Sequence, residues 1–195
     1  MLITNDFDVA QPVDRVWQFF QDIPQVASCL PGAELTGELS ADSYRGKVAV
    51  RMGPVRLQFA GTADITERDE QGRRIVVHAA GADERGRGQA NMVVTAQLSA
   101  AGRGTRVAVT QDLQLSGAAA QYGRGMISDV TAVLMRDFSA NMQDRIARIE
   151  RGESASQLAA AAATPASGFA LGLRAARMAL ARVFRRFFLP YQHAS

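Results

Sequence analysis

The sequence predicts an α+β domain in which a curved antiparallel sheet wraps around one long C-terminal helix. Three observations carry that prediction. Between residues 44 and 115, apolar and polar side chains alternate in consecutive runs separated by tight-turn residues. That is the pattern of an antiparallel meander with one buried and one solvated face. From residue 118 to 150 the apolar period changes from two to about 3.6 residues. The composition, 47% hydrophobic and 21% charged over 195 residues, suits one globular domain with a modest appendage.

The first strand spans residues 3–9, with Ile3, Phe7 and Val9 on one face and Thr4, Asp6 and Asp8 on the other. Pro12 then occupies a helix start, and Val13, Val16, Trp17 and Phe20 recur at helical spacing. A second short helix begins at Pro24 and stops before Cys29-Leu30-Pro31-Gly32, whose Pro-Gly pair signals chain reversal. Strands follow. Tyr44, Val48, Val50 and Met52 alternate with Arg45, Lys47 and Arg51, up to a turn at Gly53-Pro54. Val55, Leu57, Phe59 and Ile65 form the next inward set. Residues 75–80 come next, after the turn Asp69-Glu70-Gln71-Gly72. Ala90, Met92, Val94, Ala96 and Leu98 alternate up to a turn at residues 101–104, and Val107, Val109, Leu113 and Leu115 complete the sheet. In the closing helix Ile127, Val130, Leu134, Phe138, Met142, Ile146 and Ile149 form one stripe, which must cover the apolar sheet face.

The chain divides into this domain (residues 1–150), an Ala/Ser-rich linker (151–168) and an Arg-rich tail helix (169–192). Charge follows the division. Residues 1–150 carry 16 basic and 18 acidic side chains, whereas the remainder carries six Arg and one Glu. On a helical wheel Phe169, Leu173, Leu180, Phe184 and Phe187 fall within a sector of about 100°, and Arg174, Arg182, Arg185 and Arg186 lie opposite. An aromatic-apolar face backed only by Arg suits an anionic membrane surface. Docking on a partner protein or on the domain itself stands beside that reading. Nucleic acid fits poorly, because the Arg residues interleave with a full hydrophobic face and the domain is slightly acidic. No basic-then-apolar signal pattern and no membrane-length apolar run is visible, so a cytoplasmic location is expected, peripheral on the inner face of the cell membrane.

Catalytic constellations are scarce. One Cys excludes an intramolecular disulfide, and two His far apart, His78 and His193, make a His-based metal centre improbable. His78 falls on the face opposite Ile75 and Val77, so an exposed strand histidine is expected rather than a base. Cys29 reads as a small buried apolar residue. The segment Gly81-Ala82-Asp83-Glu84-Arg85-Gly86-Arg87-Gly88 joins two antiparallel strands and opens no helix, so it reads as a wide hairpin and not a phosphate loop. Two amides break the apolar phase: Asn5 between Ile3 and Phe7, and Gln111 between Val109 and Leu113. A buried amide needs a partner, which is backbone, water or a ligand oxygen.

Several of these stretches resemble the G-subunit family of carbon monoxide dehydrogenase. They are Phe7-Asp8-Val9 with residues 12–17, Cys29-Leu30-Pro31-Gly32-Ala33-Glu34, Tyr44-Arg45-Gly46-Lys47-Val48 and Met52-Gly53-Pro54-Val55. Residues 59–61, Gly86-Arg87-Gly88-Gln89-Ala90, residues 104–107 and Gly117 with Gly123-Arg124 continue the match over about residues 1–150. The resemblance implies a START-like, helix-grip fold with a hydrophobic cavity between sheet and helix. It also implies no catalytic machinery and no covalently bound cofactor. The implied role is to hold a quinone, or to tether a molybdenum hydroxylase of the carbon monoxide dehydrogenase type, at the cytoplasmic membrane.

The inward phase offers a site for such a ligand. Gly46, Gly61, Ala63, Ala90 and Ala96 are small where a packed core would be large. The expected mouth is formed by Leu30, Pro31, Gly53 and Pro54. The expected wall is formed by Val48, Val50, Leu57, Phe59, Met92, Val94, Val109, Leu134 and Phe138, with Gln111 as its polar member. Two other readings compete: a membrane-recruitment adaptor without ligand transfer, and a cyclase-like enzyme. The enzyme needs convergent polar groups, and the sequence offers mainly Asn5 and Gln111.

Overall fold

The computed structural model describes residues 1–153. The tail helix and nearly all of the linker expected from the sequence lie outside the described residues. The elements are β1 (Leu2–Val9), α1 (Val13–Gln21), α2 (Ile23–Cys29), β2 (Ala33–Ser40), β3 (Ser43–Met52), β4 (Val55–Asp69), β5 (Arg74–Asp83), β6 (Gly88–Ala101), β7 (Gly104–Gly117) and α3 (Arg124–Glu150). A single 3-10 turn, Ala118–Gln121, links β7 to α3.

The described strands form one antiparallel sheet in the order β1-β7-β6-β5-β4-β3-β2. Strands β2 to β7 are a meander, and β1 closes the far edge against β7. The predicted strands all form. One further strand, β2, has no counterpart in the sequence pattern. Its residues are exposed or only partly buried, and it pairs only with β3, so an edge strand leaves no apolar alternation to read. Helix α2 runs through Cys29 instead of ending before it, and Asp22 caps it by accepting from the Gln25 N–H at 3.1 Å.

The apolar side chains gather in two clusters. The larger joins Val16, Trp17, Phe19 and Phe20 of α1 to Leu98, Val107 and Val109 of the sheet and to Phe138, Met142 and Ile146 of α3. Phe7 meets Phe138 edge-to-face at 6.0 Å between ring centroids. The smaller cluster gathers Ile3, Met52, Leu57, Phe59, Ala119 and Ile127. Helix α3 therefore crosses from one cluster to the other. Its C-terminal half is pinned through α2: Asn141 donates to the Cys29 carbonyl at 2.9 Å, and the Arg145 guanidinium donates to Gln25 Oε1. Ile149, placed on the buried stripe by periodicity, is instead exposed in the last turn of the helix.

Candidate functional site: an apolar cavity under the long helix

Antiparallel register puts paired residues on the same face, and it creates an unusual row. Gly46 pairs with Gly61, Gly61 with Gly81, and Gly81 with Ala90. Four neighbouring strands thus present almost no side-chain volume at one level. The next level adds Ala63 opposite Ala79. Backbone packing demands one of these glycines outright: a Cβ on Gly61 would lie 1.9 Å from the Ala80 carbonyl oxygen. Such close approach is open only to glycine, and it lets a strand pair bend sharply.

The row floors a cavity of about 440 Å³, within the range of small-molecule sites. Its wall draws on both clusters. Helix α3 contributes Ile127, Val130, Thr131, Leu134 and Phe138, and α2 contributes Ile23 and Val26, with Leu30 just beyond its end. Of the residues expected to form a ligand site, Leu30, Val48, Val50, Leu57, Phe59, Met92, Val94, Val109, Gln111, Leu134 and Phe138 all line it. Pro31, Gly53 and Pro54 do not. The turn that follows Pro31 is tied to β3, where the Ala49 N–H donates to the Gly32 carbonyl at 2.9 Å. Gly53, at the β3–β4 tip, has open space around it. Gly81, read from sequence as part of a hairpin, belongs to the floor instead, and only register reveals it.

The lining is almost wholly apolar. Its ionisable members are Glu34, Tyr44 and Lys47, all on β2 and β3. Tyr44 donates its hydroxyl to the Ala41 carbonyl at 3.0 Å, and Lys47, the single lysine of the sequence, pairs with Glu84 at 2.6 Å. The polar members farther along the wall are Thr62, Thr131 and Gln111, and Thr131 is spent on the Ile127 carbonyl at 2.9 Å. The acid and base that border the cavity, Glu34 and Lys47, are cross-strand partners at the β2–β3 edge, and Lys47 is already spent on Glu84. His78 is exposed on the opposite face, in a shallow hollow with Asp64, Asn91 and Asp112. The Cys29 thiol is 1% exposed, and burial pushes its pKa up to about 11, so it stays protonated and unreactive.

The 81–88 segment is a hairpin held by a buried carboxylate. Asp83 accepts from Arg87 Nε and Nη2 at 2.8 Å each, and from the backbone N–H groups of Gln58, Arg85 and Arg87. The Arg87 hydrogen bonds, reinforced by these backbone donors, hold the carboxyl well below the usual carboxylate range. The resulting loop binds its own anion, which removes any remaining case for a phosphate cradle.

A family model for the G subunit of carbon monoxide dehydrogenase (CoxG) matches residues 6–147. The chain belongs to the CoxG family. The matched span contains every described residue that lines the cavity. No curated protein sequence matches the chain. Solved structures agree on the fold. A conserved protein of Geobacillus kaustophilus superposes with a TM-score of 0.68 at 19% identity, covering 76% of this chain and 96% of that one. The Zhui aromatase/cyclase of Streptomyces sp. R1128 gives 0.55 at 16% identity, covering 80% and 97%. A Thermus thermophilus protein gives 0.54 at 15% identity, covering 74% and 99%. The CoxG chain is therefore an α+β protein of the START-like, helix-grip fold.

Proposed function

We propose that this CoxG-family chain is a non-catalytic carrier that holds a quinone in the cavity under α3 and links a molybdenum hydroxylase of the carbon monoxide dehydrogenase type to the cytoplasmic membrane. The observation that supports carriage is the cavity itself: about 440 Å³ of apolar space in a fold that could have been packed full. A quinone ring with part of an isoprenoid chain suits such walls, because it is uncharged and buries apolar surface along its whole length. The acid and base that border the cavity, Glu34 and Lys47, stand at the β2–β3 edge with Lys47 spent on Glu84, and the rest of the wall is apolar or neutral, which favours binding over a cyclase-like reaction.

Membrane linkage rests on the sequence. The described residues include no helix long and apolar enough to cross a membrane. The Arg-rich amphipathic segment beginning at Phe169 supports contact with an anionic bilayer from one side.

Organic extraction of the purified chain, native and quinone-loaded, followed by mass spectrometry, tests carriage. Stoichiometric quinone is expected, and its absence from both samples overturns the carrier. Deleting the chain from Phe169 onward tests linkage: the truncated protein is expected to stay in the supernatant when sedimented with anionic vesicles, while the intact chain pellets. Equal pelleting removes the membrane role of the tail.

A further inference from the structure

Gln111 is out of place in an apolar wall. It is 6% exposed and faces the cavity between Val109 and Leu113 of β7, opposite Val94 on β6 and Ile3 on β1. Its Nε2 is buried and makes no hydrogen bond among the described residues. Asn5 stands diagonally from it on β1, opposite Val109, and its Nδ2 is buried and unpaired as well. Diagonal neighbours on one face are about 7–8 Å apart at the backbone, within reach of long side chains. Folding alone selects against two unpaired buried amide nitrogens at neighbouring diagonal positions, because each loses its hydration without a replacement.

We infer that Gln111, backed by Asn5, is the polar anchor of the cavity: it hydrogen-bonds the oxygen-bearing end of an otherwise apolar ligand and selects neutral carbonyl or hydroxyl oxygens over carboxylate head groups. This rests on reading the cavity as a ligand site and specifies its chemistry. The selection follows from what surrounds the amide. The ionisable lining residues, Glu34, Tyr44 and Lys47, are on β2 and β3. Strand β3 is four strand spacings from β7 in the sheet order, about 19 Å along the sheet. A carboxylate placed at Gln111 would be buried among Val94, Val109 and Leu113 without a cation. A primary amide carries both N–H donors and a carbonyl acceptor. It can therefore donate to a ketone and, turned over, accept from a hydroxyl, so a quinone and its hydroquinone are both held.

Competition for pyrene, a purely apolar fluorescent probe, tests this on the full chain. A decyl-substituted benzoquinone and its hydroquinone are each expected to displace pyrene about ten-fold better than decylbenzene, the gain of one well-formed buried hydrogen bond. Dodecanoate is expected to do no better than decylbenzene. In Gln111→Met, which keeps side-chain length and approximate volume, the ten-fold preference of the quinone and hydroquinone over decylbenzene should vanish. Equal binding of benzoquinone and decylbenzene by the unaltered chain overturns the anchor. So does a quinone preference that survives in Gln111→Met, or a dodecanoate affinity above that of decylbenzene. Failure of the unaltered chain to bind pyrene at all overturns the ligand-site reading itself, and the anchor with it.

Discussion

The two halves of α3 rest on the same sheet, yet one half is packed and the other is hollow. Toward its C-terminus, Phe138, Met142 and Ile146 meet Val16, Trp17, Phe19 and Phe20 from α1 and Leu98 and Val107 from the sheet. Toward its N-terminus, Ile127, Val130 and Leu134 face the level at which Gly46, Gly61, Gly81 and Ala90 line up across four strands. Both halves are apolar, so hydrophobicity does not distinguish them. Side-chain volume does. A binding cavity is made here by withholding volume from one register level of the sheet, while α1 packs Val16, Trp17 and Phe19 at the other end and brings only Phe20 to the cavity wall.

The largest effect expected of this difference comes from Gly61→Ala. The new methyl would collide with the Ala80 carbonyl of the adjacent strand, and neither backbone can yield without unpairing β4 and β5. A loss of about 3 kcal/mol or more in urea unfolding is expected. A neutral substitution would show that close strand approach does not shape the floor.

Next in size is a matched pair of truncations. Met142 is fully buried in the packed half, and Met142→Ala should cost about 2–5 kcal/mol by leaving a new void. Leu134 already borders open space, so Leu134→Ala should cost about 1 kcal/mol or less, because little further cavity is created. Equal costs in the same unfolding experiment would erase the distinction between the halves.

The smallest effect expected is a pH dependence at Asp83, beside the hollow half. Its carboxyl is held ionised by Arg87, so its folded pKa lies below the unfolded value. The stability it confers is complete above the ordinary aspartate value of about 3.9 and is lost as pH falls through the lower folded value. Hydrogen exchange should show the β5–β6 hairpin opening in acid before β7 and the C-terminal half of α3 do. In Asp83→Asn that acid-specific opening should be absent.

Legibility in the sequence follows side-chain period. Strands β3 to β7 and helix α3 advertise themselves through the alternation of residues such as Val48, Val50 and Met52, and through the spacing of Ile127, Leu134 and Phe138. The same phase points to most of the cavity wall, because a residue facing inward over a hollow is patterned like one facing a packed core. Strand β2 carries no such signal, since an edge strand with exposed residues buries no face. Pro31 and Gly53 mark turns correctly, but a turn residue does not announce whether its loop leans over a cavity or past it. Asp83 looks like an ordinary hairpin charge, and only the convergence of Arg87 with three backbone N–H groups makes it a buried anchor.

By itself the sequence determined the α+β class, the inward face of nearly every element and the scarcity of catalytic groups, because these follow from local period and residue chemistry. Tertiary structure alone decided where volume was missing. Whether Gly46, Gly61, Gly81 and Ala90 are scattered small residues or one continuous floor depends on cross-strand register, which couples residues far apart in the chain. The isolation of Gln111 has the same origin. An amide is ordinary along a strand, and it becomes a candidate ligand contact only when the elements packed around it leave its buried nitrogen without a partner.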